Sequence, residues 1–300
     1  MIKPPLLKPG DKVGIAAPAR KVRPDDIALA VQILVTWGLD VIPGKNLFSE
    51  HHGYLAGLDE ERLSDFQSMV DDASMKAIFC ARGGYGSTRI IDQLDFDSLS
   101  TNPKWIIGFS DITSLHLKLN EAGIQSIHGT MPLLFSKPEA AQSVESLREL
   151  VFSGRARLTS PANSYNRGGE VQGEVLGGNL SLLVDALGTR TEPDTTNKIL
   201  VIEEIDEYLY KIDRMLQHLK RAGKFNDLAG LVVGHMTDIK DTELKFGESI
   251  EALILNAVRE YSFPIAFNVP TGHQDPNLAW IEGGLAHFRV SSGGLSLEFH

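Results

Sequence analysis

Along the first half of the chain, short apolar runs alternate with segments of helical periodicity. Lys12-Val-Gly-Ile-Ala-Ala17 reads as a buried strand, Asp25 to Trp37 as an amphipathic helix stopped by Gly38, and Leu39 to Ile42 as a second strand. Leu58, Leu63, Phe66, Met69 and Val70 recur at helical spacing, and Asp59, Glu60 and Glu61 stand where carboxylates complement a helix N-terminus. Ala77 to Ala81 and Trp105 to Phe109 read as strands, Asp111 to Ala122 as a helix, Ile124 to His128 as a strand and Glu139 to Phe152 as a helix. Alternation of this kind predicts an α/β fold whose parallel sheet is covered on both faces.

The pattern changes between Ser153 and Gly169. Ser160-Pro-Ala-Asn-Ser-Tyr-Asn-Arg-Gly-Gly169 is polar, rich in turn formers and aperiodic. It divides the chain into a domain of residues 1–158, a linker at 159–170 and a second domain at 171–300. The second domain is expected to hold a Gly-rich turn at Gly173 to Asn179 and helices near Leu180 to Leu187, Glu207 to Arg221 and Ile250 to Tyr261. Strands are expected at Lys198 to Ile202, Leu228 to Val233 and Pro264 to Phe267. A hairpin of Ala286 to Val290 and Leu295 to Phe299, turning at Gly293-Gly294, closes the chain.

Composition narrows the function classes. A net charge of -10 without a basic face disfavours nucleic-acid and anionic-membrane partners, which are held by displacing counterions. The single cysteine, Cys80, allows neither an intrachain disulfide nor a cysteine metal site. The apolar stretch near the N-terminus is too short for a secretory signal or a membrane span, so a cytoplasmic location is expected.

Candidate chemistry gathers at three places. In Trp105-Ile-Ile-Gly-Phe-Ser-Asp111 a strand gives way to a helix at Ser110. A serine there is either a helix cap or a nucleophile presented at the carboxyl edge of the sheet, with the Asp111 N–H available to an oxyanion. The segment resembles a nucleophile elbow, but Ile112 replaces the second glycine of G-x-S-x-G. A serine nucleophile needs a base, and the base needs an orienting carboxylate. Of the nine histidines, His128, His235 and His273 sit next to glycine at strand ends or loops, and His273 stands out in Pro270-Thr-Gly-His-Gln-Asp-Pro276. Ile199-Leu-Val-Ile-Glu-Glu204 ends an apolar strand in two acids that point to opposite sides, so only one of Glu203 and Glu204 can serve. In Cys80-Ala-Arg-Gly-Gly-Tyr-Gly-Ser87 the glycines let backbone N–H groups approach a ligand, whether a phosphate or an oxyanion.

Taken together, these segments resemble the LD-carboxypeptidase family of serine peptidases, which includes muramoyltetrapeptide carboxypeptidases and microcin C immunity hydrolases. The resemblance runs from Leu7-Lys-Pro-Gly-Asp-Lys-Val13 through Gly53-Tyr-Leu-Ala-Gly57, Asp59-Glu-Glu-Arg62 and Ala81-Arg-Gly-Gly-Tyr-Gly86. It continues through Gly108-Phe-Ser-Asp111, His128-Gly129, Gly177-Gly-Asn-Leu180, Ile202-Glu-Glu204, Asp213-Arg214 and Gly272-His273. It implies a flavodoxin-like N-terminal domain, a smaller β-rich α/β C-terminal domain, a homodimer, and no metal or cofactor. It also implies Ser110 as nucleophile, His273 as general base, Glu203 as its orienter, and an oxyanion hole from N–H groups near Gly84 and Asp111. The implied substrate is a murein tetrapeptide that loses its terminal D-alanine. Arg82 then either holds a substrate carboxylate or pins its own loop. Phe109 stands where tyrosine is common and Glu204 where aspartate is common, which leaves open which glutamate meets the histidine. Two rivals remain: hydrolysis of acyl-aminoacyl nucleotides, and a non-catalytic two-domain protein that binds a nucleotide or sugar phosphate.

Overall fold

The computed structural model describes all of residues 1–300. Two sheets form it. Strands β1 (Lys12–Ala16), β2 (Asp40–Pro43), β3 (Met75–Cys80), β4 (Trp105–Gly108) and β5 (Ser126–His128) run parallel in the order β5-β4-β3-β1-β2. This is the doubly wound order of flavodoxin-like folds, in which the chain reverses direction across the sheet between β1 and β3. Crossover helices cover both faces because the central strands β1, β3 and β4 are apolar on both sides. Ala77 and Phe79 pack on the side of α1 (Pro24–Thr36) and α4 (Ala141–Ser153), whereas Ile78 and Cys80 pack on the side of α2 (Asp59–Asp71) and α3 (Thr113–Glu121).

The second sheet contains β6 (Arg157–Ser160), β7 (Gly169–Asn179), β8 (Ile199–Ile205), β9 (Gly230–Thr237), β10 (Ile265–Ala266), β12 (Leu285–Ser291) and β13 (Gly294–Phe299). Strands β7 to β10 are parallel, crossed over by α5 (Leu180–Asp185), α6 (Leu209–Arg221) and α7 (Ile250–Ala257), and β12, β13 and β6 continue antiparallel. No helix is long and apolar enough to cross a membrane.

The two sheets exchange strands. β6, which begins inside the segment read as the end of the first domain, pairs with β13 in the second sheet. In return β11 (Trp280–Glu282) leaves the second half and adds antiparallel to β5, with Trp280 opposite His128. A second difference from the sequence reading concerns Gly173 to Asn179, which form the end of the long strand β7 rather than a turn. The glycines there serve close approach. Gly177 has φ +147°, and a Cβ on it would stand 1.9 Å from the Val201 carbonyl oxygen.

Replacing Gly177 by alanine would therefore force an unfavourable backbone region and a clash inside a packed sheet. We expect Gly177→Ala to lose about 2–5 kcal/mol of unfolding free energy, measured by urea denaturation. A loss below about 0.5 kcal/mol would contradict the close approach.

Candidate active site

Ser110 lies at the junction of β4 with a single 3-10 turn, Ser110–Ile112, that runs into α3. Its φ is +65°, in the left-handed region that a serine enters only when its surroundings impose it. One such constraint is His116 on α3. It is fully buried, and burial pushes its pKa down to about 4, so the ring is neutral. Its Nε2 lies 2.9 Å from the Gly108 carbonyl oxygen and its Nδ1 2.8 Å from Ser126 Oγ. The neutral ring donates from Nε2 to Gly108 and accepts the Ser126 hydroxyl proton at Nδ1, tying the strand end beneath Ser110 to helix and neighbouring strand.

His273 reaches Ser110 from the other half of the chain, with Nε2 3.0 Å from Ser110 Oγ. Its Nδ1 lies 2.6 Å from Glu203 Oε2, and Glu203 is fully buried at the carboxyl end of β8. Beside Glu203 the β8–β9 ladder shifts register, between Ile202 opposite Val233 and Glu204 opposite Met236. Such an irregularity re-aims side chains at a strand end. The two glutamates diverge as extended backbone requires. Glu204 faces away and accepts from Asn179 Nδ2 (2.8 Å), the Ser181 N–H (2.8 Å) and Ser181 Oγ (2.6 Å). Burial nevertheless raises the Glu204 pKa, with these donors opposing the rise.

The loop carrying His273 is fastened to both halves. The Gly272 N–H donates to Asn277 Oδ1 (2.9 Å), and the Trp280 indole N–H donates to Thr271 Oγ1 (3.0 Å). The Asn277 and Ala279 N–H groups donate to the hydroxyls of Ser143 and Ser146 on α4 (2.8 and 3.0 Å). The other two histidines weighed as bases are elsewhere. His128 is buried and stacks on Trp280, and His235 accepts the Gln274 N–H.

The glycine loop after β3 closes over the serine. A Cβ on Gly83 would come within 3.1 Å of Ser110 Cβ and 3.3 Å of the Asp111 nitrogen, so Gly83, which sequence reasoning did not single out, sets the closeness of this approach. The N–H groups of Gly84 and Asp111 donate to no other protein atom. Arg62, from the Asp59-Glu-Glu-Arg62 segment, is fully shielded and binds the carbonyls of Pro18 and Gly86, joining the loops after β1 and β3. Arg82 is half-buried, and its one hydrogen bond, to the Lys21 carbonyl, is 3.4 Å long. These groups border a cleft of about 480 Å³ whose walls include Arg20, Arg82, Gly84, Ser110, Leu133 and His273. It opens at the carboxyl ends of β1, β3 and β4, beside the switch point of the first sheet.

Two family models match, one described as the LD-carboxypeptidase N-terminal domain over residues 13–129 and the other as its C-terminal domain over residues 172–288. The chain belongs to the LD-carboxypeptidase family. It is 38% identical over 286 residues to a probable murein peptide carboxypeptidase of Bacillus subtilis, covering 92% of this chain and 88% of that relative. A crystal structure of muramoyltetrapeptide carboxypeptidase from Oxalobacter formigenes superposes with a TM-score of 0.88 at 27% identity, covering 96% of this chain and 98% of that one. The structure of MccF in complex with glutamyl sulfamoyl guanosine shares the fold, with a TM-score of 0.86 at 20% identity over 98% of each chain.

Burial disfavours the charged form of His273, but the Glu203 charge and hydrogen bond, aided by Glu204, outweigh it and raise its pKa. An NMR titration of the His273 ring is expected to show a midpoint above the ordinary value of about 6.5. In Glu203→Gln burial acts with little opposition, and the midpoint is expected below that value. An unchanged midpoint would show that Glu203 does not act on the ring.

Proposed function

We propose that this family member is a serine carboxypeptidase that hydrolyses the LD peptide bond before the terminal D-alanine of a murein tetrapeptide. The observation that carries the proposal is the continuous relay from Ser110 Oγ through His273 to the buried Glu203. With Nδ1–H donating to Glu203, the neutral ring presents a lone pair at Nε2, where it accepts the Ser110 hydroxyl proton. The serine oxygen attacks the scissile carbonyl as His273 takes that proton. The N–H groups of Asp111 and Gly84 hold the oxyanion, so the charge develops against donors already in place. His273 then protonates the departing D-alanine amine, and water repeats the cycle to free the shortened peptide and Ser110. Glu203 keeps the ring in the productive tautomer and stabilises the imidazolium without taking its proton.

The murein substrate is supported by the relatives at 38% and 27% identity, whereas the MccF likeness at 20% concerns the fold alone. The same reading has the enzyme act in the cytoplasm and as a homodimer, the latter carried over from the family resemblance.

Purified enzyme is expected to release D-alanine from a tetrapeptide and to leave an acyl-aminoacyl adenylate intact. Ser110→Ala and His273→Ala should each reduce that release by at least about 10⁴-fold without loss of folded protein. Release by Ser110→Ala at the normal rate would remove the nucleophile assignment. Cleavage of the adenylate instead of the peptide would move the enzyme to the nucleotide branch.

A further inference from the structure

Although the chain is strongly acidic, the cleft beside Ser110 has a cationic end. Arg20, in the loop after β1, and Arg82, in the loop after β3, line the cleft together with Ser110 and His273. The same two arginines and Leu133 also line an adjoining cavity of about 420 Å³, so they stand at the neck between the two spaces. The other cations of that cavity are neutralised, Lys21 by Glu50 at 2.6 Å and Arg23 by Asp26 at 2.8 Å. Neither Arg20 nor Arg82 has a carboxylate within 4 Å of its guanidinium nitrogens. Asp206, on the facing wall, is paired with Lys240.

Arg20 is nevertheless held in place. Its stem crosses Gly84, where an added Cβ would stand 2.1 Å from Arg20 Cδ, and its guanidinium lies 4.5 Å from the centre of the Tyr54 ring. The Arg20 side chain donates no hydrogen bond, and the Arg82 Nε is buried without a partner. Burial lowers the Arg82 pKa, and the neighbouring Arg20 charge lowers it further. Two guanidinium groups lining the same neck, with unused donors and no protein carboxylate within 4 Å, form a site suited to a planar anion.

We infer that Arg20 and Arg82 together bind the free carboxylate of the substrate's terminal residue and thereby restrict the enzyme to cutting at a chain end. This rests on the carboxypeptidase reading and extends it to what the leaving residue must carry. The carboxylate lies within one residue, about 3.8 Å between Cα atoms, of the scissile bond. Gly84 supplies the surface on which Arg20 rests, and its neighbour Gly83 approaches Ser110, so the glycine loop links the arginines to the serine along one rim of the cleft. Guanidinium pairs suit a planar carboxylate because their N–H groups fork to match its two oxygens.

The test separates binding from turnover. In a Ser110→Ala background, calorimetry compares a tetrapeptide ending in D-alanine with the same peptide ending in D-alaninamide. The acid is expected to bind about 10- to 100-fold tighter than the amide. Adding Arg20→Gln should narrow that ratio to within about threefold, and Arg20→Lys should restore part of it. Equal binding of acid and amide, binding of neither, or a persistent ratio in Arg20→Gln would each overturn the inference. D-alanine release by the enzyme with Ser110 intact reports the carboxypeptidase reading separately, since the acid-to-amide ratio does not depend on turnover.

Discussion

The site depends on a three-residue strand that crosses from one half of the molecule to the other. By pairing Trp280–Glu282 with Ser126–His128, the chain carries the His273 loop onto the sheet that presents Ser110. Backbone hydrogen bonds are directional, and buried ones are costly to leave unmade, so this pairing fixes the register of everything between β10 and β12. The Ser143 and Ser146 hydroxyls and the stacking of Trp280 on His128 add fastenings on the same seam. A loop held by the second half alone would share every relative motion of the halves. Here the His273 loop is attached to β5, the strand beside the one that presents Ser110.

The electrostatics follow from that seam. Glu203 is a fully buried carboxylate whose one close partner is the His273 ring, an arrangement that low dielectric makes expensive unless the partner is well aimed. Glu204, one residue on, is satisfied by three donors of α5 and the end of β7 and has no part in the relay. The adjacent acids thus divide between function and structure by the alternation of extended backbone. Across the cleft the arginines invert the sign of the local field relative to the whole protein. On the inference drawn above, an acidic enzyme thereby has a place for an acidic peptide end.

Much of this was legible in the sequence, for physical reasons that also explain the failures. The strands β1, β3 and β4 and the helices α1 and α2 were readable because buried parallel strands and amphipathic helices leave strong periodic signals. Their places at element ends marked Ser110, His273 and the Glu203–Glu204 pair as candidates, the family resemblance implied the set Ser110, His273 and Glu203, and the fold supplied the distances between them. β11 and β6 were missed because they pair with strands distant in the chain, and such pairing leaves no local mark. The end of β7 was read as a turn because glycine breaks local propensity, whereas here it admits the chain to the Val201 carbonyl. His116 carries no mark in the sequence beyond its place on a helix, yet its ring binds the Gly108 carbonyl from beneath. Arg20 gave no signal, since its significance lies in the absence of a counterion, which only three dimensions reveal.

The central claim is that Ser110 is activated by a histidine delivered across the seam. Labelling with a fluorophosphonate followed by peptide mapping addresses it directly, because such probes report an activated serine irrespective of the natural substrate. A stoichiometric adduct on Ser110 is expected, formed at least about 100-fold more slowly in His273→Ala. Labelling at an equal rate in both proteins, or an adduct on another serine, would contradict it.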